Sequence, residues 1–398
     1  MCNFSKSSVL KSGTFLLYAR VLQDSVQDLY NRYILNKYEI LYILEFQGTA
    51  MDDNSPNNQA TPIHLVMQDS VDEKQYEFIP TSFDDYIGQN QLKEKLKVYT
   101  TACKMRNDPL DHMLLFGPPG LGKTTLCQIM AHIMNVDIKI CSGPMMERTG
   151  DLVAILSNLQ PHDILFIDEI HRTPTNVEEV LYSAMEQFKI DVIIGQGAGA
   201  KTVTLPLQPF TLIGATTKVG SISAPLRSRF GIIEHLDFYT NEELTELILQ
   251  NAQFLKITLD TQAAQLIAKC SRGTPRVAKK LLRRIRDFAQ VTNDNIASIE
   301  LVEQAMKALG IDSDGLTAMD NLLLSKIINH HTGVVGLDTL ASLLGEDKET
   351  IESVYEPYLI RQGFLEKSSK GRQIPHKKIP YLKKKYMGQN DLFSIEEQ

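Results

Sequence analysis

Apolar residues along this chain change their spacing three times, and each change marks a domain. Between residues 76 and 236, short apolar runs alternate with stretches where apolar side chains recur every three or four positions. The runs Met113 to Phe116, Val136 to Ile140, Asp163 to Glu169 and Phe210 to Ala215 are too short for helices and apolar enough for strands buried on both faces. Helices are predicted between them, over Gln91 to Met105, from Thr125 through Leu126, Ile129, Met130 and Ile133, over Asp151 to Leu159, and over Asn176 to Gln187. Ile190 to Leu205 alternates around Gly195-Gln196-Gly197-Ala198-Gly199 and predicts a β-hairpin. Strands alternating with helices predict an α/β domain, a parallel sheet covered on both faces.

After Asp237 the predicted strands stop. Glu242 to Phe254, Thr261 to Cys270, Pro275 to Val291 and Ser298 to Leu309 have helical spacing and predict a small helical domain over residues 237–311. From Thr317 three more helices are predicted (Met319 to His330, Leu337 to Leu344, Lys348 to Ile360), then Phe364-Leu365-Glu366-Lys367 and a turn containing Gly371. Three helices and a short hairpin predict a winged helix within residues 312–398. Residues 1–75 differ from all of this. A mixed segment with one or two amphipathic helices over Val21 to Leu44 leads into the polar run DDNSPNNQATP, which reads as a linker. A translation start at Met51 would remove the segment before it, and no function is assigned to these 75 residues.

Composition narrows the classes. A net charge of −7 argues against a basic surface over the whole protein, though not against a local basic patch. Five cysteines without a C-x-x-C pair are neither a disulfide frame nor a zinc site and suit a reducing, cytoplasmic setting. No stretch reads as a membrane span or a targeting signal.

The chemistry centres on Gly117-Pro118-Pro119-Gly120-Leu121-Gly122-Lys123-Thr124, a G-x-x-x-x-G-K-[ST] loop between a predicted strand and a predicted helix. Such glycines let backbone N–H groups converge on a phosphate at a helix N-terminus, and Thr125 continues that helix. Lys123 would reach the β- and γ-phosphates of ATP, and the Thr124 hydroxyl would complete a Mg²⁺ shell. Asp168 and Glu169, delivered by the apolar strand from Asp163, supply the other half: Asp168 to hold Mg²⁺ through water, Glu169 to orient and polarise the attacking water. Gly214-Ala215-Thr216-Thr217 ends another buried strand and can place a hydroxyl by the γ-phosphate, with Thr217 the first choice of the pair. In Pro225-Leu226-Arg227-Ser228-Arg229-Phe230, Arg229 is the arginine that a ring-shaped motor would supply to its neighbour's γ-phosphate. Arg276, in the first turn of a helix, is poorly placed for a cation unless an anion sits nearby, and it predicts a γ-phosphate contact across the domain cleft.

Together these residues resemble an AAA+ ATPase, and residues 83–381 closely resemble the RuvB family of Holliday-junction branch-migration motors. The resemblance rests on FDDYIGQ, DHMLLFGPPGLGKTT, DILFIDEIHR, FTLIGATTKVGSISAPLRSRFG, RGTPRVAKKLLRRIRDFA, EPYLIRQGFL and the pair Gly371-Arg372. It implies a P-loop domain, a helical lid and a winged helix. It also implies a homohexamer around duplex DNA that uses ATP and Mg²⁺ to pull the arms of a four-way junction. A RuvA-like junction-binding partner, gripped through the hairpin Ile190 to Val203, and a RuvC-like resolvase would work beside it. The resemblance implies ATP contacts at Phe78, Ile79, Glu186, Gln187, Phe188 and Tyr239, with Tyr239 as the adenine-pocket aromatic. It implies DNA contacts at Lys348, Lys367 and Arg372, where phosphates need charge and no base readout.

The chain departs from the family pattern at Ile79, where Arg is usual, at Gln187, where a carboxylate is usual, and at Lys367 and Lys370, usually Arg. Lys keeps the charge at a wing position and loses the fork geometry. Two competing readings follow from the same motifs: a clamp-loader-like or protein-remodelling AAA+ machine whose winged helix binds protein, and a transcription regulator whose wing reads bases.

Overall fold

In the computed structural model the described residues are 78–194, 201–292 and 295–390. The N-terminal segment and the glycine-rich hairpin tip discussed above, and the acidic C-terminal tail, lie outside them. The first domain is built on five parallel strands: β1 (Met113–Phe116), β2 (Ile138–Ser142), β3 (Ile164–Asp168), β6 (Thr211–Thr216) and β7 (Ile232–His235), in the order β2-β3-β6-β1-β7. A separate antiparallel pair, β4 (Lys189–Ile194) and β5 (Lys201–Pro206), forms the predicted hairpin.

Alternation along the central strands fills two cores. Met113, Leu115, Ile164, Phe166, Ile213 and Ala215 pack on one face with Leu96, Leu126, Ile129 and Met130 from the helices Asn90–Arg106 and Lys123–Met134. Leu114, Leu165, Ile167 and Leu212 pack on the other with Leu152, Leu156, Val177 and Leu181 from Thr149–Ser157 and Thr175–Gln187. Side chains two apart share a face of a strand, so an unbroken apolar run serves both layers at once.

The boundaries differ from expectation where polar side chains cap backbone. The strand predicted over Val136 to Ile140 begins at Ile138 and runs to Ser142. Asp163 is a cap and not a strand residue: its carboxylate accepts from the N–H groups of Gln160 at 2.8 Å and Asp137 at 3.2 Å. Glu169 leaves the strand altogether and adopts the left-handed conformation, φ 47°. The edge strand β7, four half-exposed residues, was not predicted, because it carries no apolar run.

The second domain holds the four predicted helices as Asn241–Phe254, Thr261–Cys270, Pro275–Thr292 and Ile299–Ala308. The first starts at a capping box in which Thr240 Oγ1 accepts from the Glu243 N–H at 3.2 Å and Glu243 Oε2 accepts from the Thr240 N–H at 2.8 Å, a local arrangement worth about 1 kcal/mol. Strand formation does not stop at Asp237. Thr258–Leu259 (β8) and Ile296–Ala297 (β9) pair in parallel, too briefly for any periodicity to register.

The third domain is a winged helix. Ala318–Ile328 and Leu337–Leu344 match their predicted spans closely. The predicted helix Lys348 to Ile360 is instead three pieces, Lys348–Thr350, a π turn Ile351–Tyr355, and Glu356–Arg361. Pro357 explains the break: it has no N–H to continue the α-helical ladder, and its ring crowds the preceding turn. The wing, β11 (Glu366–Ser368) and β12 (Gly371–Gln373), joins Val334–Val335 (β10) in a three-stranded sheet. A further helix, Ile379–Asn390, had not been predicted; Tyr386 Oη donates to Asn321 Oδ1 at 3.1 Å and Lys385 Nζ reaches Asp312 and Asp314. Among the described residues no helix is long and apolar enough to cross a membrane.

Candidate functional site

The phosphate loop forms because its glycines take backbone conformations that other residues rarely adopt. Gly117, Gly120 and Gly122 have φ of 145°, 79° and 96°. A Cβ on Gly122 would stand 2.5 Å from the Tyr86 hydroxyl, and one on Gly120 would stand 2.9 Å from Arg276 Cβ. The loop is therefore braced from below by Tyr86 and faced by the second domain. Tyr239 Oη donates to Tyr86 Oη at 2.9 Å, and Tyr86 Oη donates to the carbonyl of Leu121 at 3.1 Å. Burial pushes both phenols well above their ordinary pKa, so both stay neutral hydrogen-bonding groups. Pro118 and Pro119 form the outer turn of the loop, and Thr124 and Thr125 sit in the first turn of Lys123–Met134.

Lys123 is nearly buried, and its Nζ donates to the carbonyls of Gly117 at 2.8 Å and Pro118 at 2.9 Å. Burial lowers its pKa, with Arg276 adding to the effect and Glu169 and Asp168 opposing it. Burial likewise holds Asp168 above the usual carboxylate range, and Glu169 reinforces that. The Glu169 carboxylate accepts through Oε2 from Thr217 Oγ1 at 3.1 Å and from the Thr217 N–H at 3.3 Å. Thr216 is fully buried and bonds elsewhere: its Oγ1 lies 3.0 Å from His171 Nδ1 and accepts from the Lys218 N–H. Of the two threonines, Thr217 is the one that faces the acid.

The backbone N–H of Arg276 donates to the Gly120 carbonyl at 3.3 Å, which brings the second domain onto the loop. In front of the loop lies a cleft of about 840 Å³, within the range of small-ligand pockets. The large domain contributes Gly117, Thr217 and Lys218 to it, the second domain Arg276 and Lys280, and the winged helix Glu349 and Tyr358. All three domains thus wall one cleft. Two contacts fasten the winged helix beside it: Arg361 donates to the Tyr239 carbonyl at 2.9 Å, and the Arg272 guanidinium pairs with the buried Asp320.

Other predicted residues lie apart from this cluster. Arg229 stacks on the Tyr182 ring (4.4 Å to its centre), donates to the Pro225 carbonyl at 2.6 Å, and holds its Nε 3.0 Å from Glu186 Oε1. Glu186 therefore keeps company with Arg229 and not with the loop of its own chain. Gln187 ends its helix, and Phe188 turns the chain with φ 48° and packs edge-on against Phe210. The Phe78 ring packs edge-on against Phe254 and its carbonyl accepts from Lys279, while Ile79 is half exposed. The Tyr239 ring is buried against Gly88 in the brace beneath the loop, and 1% of the residue is exposed.

On the wing, Lys367 and Arg372 stand opposite one another on β11 and β12 and share two acids. Lys367 Nζ is 2.6 Å from Glu356 Oε2. Arg372 donates to Glu356 Oε1 at 2.7 Å and to Glu352 Oε1 at 2.8 Å. Lys348 pairs with Asp338. Each of the three cations already has a carboxylate partner.

Sequence reasoning passed over His171, Lys218, Tyr182 and Glu349. His171 follows the acidic pair by two residues, and only the left-handed turn at Glu169 brings its ring back to the carboxylate. Lys218 and Glu349 meet across 131 residues, a pairing with no sequence signal.

Comparison with known proteins agrees with this layout. Residues 78–236 match the family model for the Holliday junction DNA helicase RuvB P-loop domain, 239–312 the RuvB AAA lid domain, and 313–383 the RuvB C-terminal winged helix domain. A Holliday junction branch migration complex subunit RuvB of Staphylococcus haemolyticus is 53% identical over 295 residues, 74% of this chain and 89% of that protein. The Thermotoga maritima RuvB Holliday junction branch migration motor superposes with a TM-score of 0.69 at 46% identity, covering 77% of this chain and 98% of that one. A point mutant of the same protein gives 0.70 at 46% identity, covering 77% and 99%. With all three domains matched in order, and the phosphate loop, Thr217 and the winged helix around one cleft, the chain belongs to the RuvB family of P-loop AAA+ ATPases.

Proposed function

We propose that this chain is an ATP-driven, Mg²⁺-dependent motor that pulls duplex arms through a homohexameric ring and so drives branch migration at four-way DNA junctions. The observation that carries this reading is the shared cleft, in which the phosphate loop, Thr217 and Arg276 stand against the winged helix, with Thr217 bonded to Glu169. A machine so built can pass a change at the γ-phosphate to the domain that meets DNA. That its relatives are named for branch migration of Holliday junctions supports the DNA half of the reading.

In this reading backbone N–H groups of Gly120 to Thr125 and the Lys123 ammonium hold the triphosphate. Glu169 takes a proton from water as the water oxygen attacks the γ-phosphorus; the bond to the β–γ bridging oxygen breaks and ADP leaves. Thr217 orients that water, and Arg276 and a neighbour's Arg229 offset the charge on the phosphoryl oxygens. Thr124 and Asp168 are oxygen donors suited to Mg²⁺. Mg²⁺ keeps several of its waters and takes further ligands from phosphate, so one or two protein oxygens suffice. Held by these oxygens, Mg²⁺ would supply charge neutralisation at the phosphates.

Tyr239 braces the loop on the adenine side. Lys367, Arg372 and Lys348 meet DNA phosphates by exchanging their present carboxylate partners for them. The hairpin β4–β5 grips a RuvA-like protein, and a RuvC-like resolvase acts on the same junction. The deciding experiment is Glu169→Gln: nucleotide binding is retained, ATP turnover stops, and a synthetic four-way junction is no longer dissociated by the variant with its junction-binding partner. Normal turnover by Glu169→Gln would remove the assignment.

A further inference from the structure

We propose that His171 is a positioning residue for the Glu169 carboxylate, tying it to the end of strand β6. The proposal rests on the reading of Glu169 as the water-activating group. The geometry begins with the backbone. Glu169 sits in the left-handed region, a strained conformation for a residue with a side chain, and the next three residues, Ile170–Arg172, form one tight turn closed by the Arg172 N–H on the Glu169 carbonyl at 2.8 Å. That turn returns His171 over the side chain of Glu169. Its Nδ1 stands 3.1 Å from Glu169 Oε2 and 3.0 Å from Thr216 Oγ1, with its side chain 10% exposed.

The hydrogen positions follow from charge. A bare Nδ1 lone pair 3.1 Å from a carboxylate oxygen would be repelled by it, so Nδ1 carries a proton. That proton lies between Glu169 and Thr216. Thr216 Oγ1 has lone pairs for both His171 and the Lys218 N–H, which donates to it at 2.9 Å. Glu169 Oε2 then accepts from Thr217, the residue after β6, and has His171 Nδ1 3.1 Å away on the side of the turn, while Oε1 has no hydrogen-bond partner among the described residues. A carboxylate anchored by one oxygen keeps the other for water. Strand β6 is fully buried, so its end is a rigid reference for that anchor.

The test compares His171→Ala, His171→Asn and His171→Asp. Asparagine places an N–H close to the position of Nδ1; aspartate has the same shape without the donor. Single-turnover ATP hydrolysis and binding of a fluorescent ATP analogue are measured for each. His171→Ala is expected to lower the hydrolysis rate by about 10²-fold, with the analogue's Kd changed by less than about two-fold. His171→Asn should recover most of the rate, and His171→Asp should not. Wild-type hydrolysis by His171→Ala, or equal rates for His171→Asn and His171→Asp, overturns the proposal; if His171→Ala binds no analogue, the Asn and Asp pair decides alone. An active Glu169→Gln protein would instead refute the reading of Glu169, which separates the two failures.

Discussion

Lys218 Nζ donates to Glu349 Oε1 at 2.8 Å, joining the residue after Thr217 directly to the winged helix. Both side chains are half exposed or more, so the pair adds little to folding. Its consequence lies in what it connects. Thr217 lines the cleft and contacts Glu169, Lys218 extends the same backbone, and Glu349 belongs to the domain proposed to meet DNA. Removing the pair should therefore leave the melting temperature unchanged and weaken coupling. Lys218→Ala is expected to reduce DNA stimulation of ATP hydrolysis by about 5-fold or more, with DNA-free hydrolysis close to normal. Lys218→Glu combined with Glu349→Lys should restore stimulation, and a lowered melting temperature with intact stimulation would contradict the assignment.

Arg229 is held by Tyr182, Pro225 and Glu186, with no partner among the residues around the phosphate loop of its own chain. A guanidinium kept in this way suits delivery to another subunit. Arg229→Ala should lower ATP turnover by about 10³-fold while the variant still binds nucleotide. Mixed in equal amounts with wild type, it should leave well under half of the activity, because each altered subunit disables its neighbour. Activity proportional to the wild-type fraction would assign Arg229 to its own chain's chemistry.

The Arg272–Asp320 pair joins the second domain to the winged helix, and the Asp320 side chain is fully buried. Asp320 Oδ2 also accepts from the Thr317 N–H at 2.8 Å and from Thr317 Oγ1 at 2.7 Å. Arg272→Ala would leave a buried carboxylate without its counter-charge, a loss of about 3–5 kcal/mol, visible as an earlier urea transition by far-UV circular dichroism. Replacing both partners, Arg272→Met with Asp320→Leu, should recover much of that stability.

Asp314 fastens the last helix. Burial pushes its carboxyl up, but hydrogen bonds from Tyr381 and Lys385 outweigh burial and hold it below the usual range. A carboxylate depressed by folding stabilises the fold above its unfolded pKa of about 3.9 and loses that contribution as pH falls through the folded value. Asp314→Asn should therefore lower the melting temperature at pH 7, and the difference from wild type should shrink below about pH 4. A difference of the same size at acid pH would show that charge is not what docks the helix.

The hydrophobic pattern by itself determined the three-domain order, four of the five parallel strands and nearly every helix. These follow from local rules: apolar runs serving two faces, 3.6-residue periodicity, and glycines that alone fit the phosphate loop. The loop and the acids Asp168 and Glu169 were legible for the same reason, because their spacing is set by one strand and one turn. Tertiary structure decided the rest. Whether Thr216 or Thr217 meets Glu169 depends on register between strands 48 residues apart. His171 reaches the acid only because Glu169 turns left-handed. Glu186 lies beside Arg229, and the wing cations lie against Glu352 and Glu356, through packing that no short-range spacing encodes. Contact between a strand end and a domain 131 residues later, as at Lys218 and Glu349, exists only once the chain has folded.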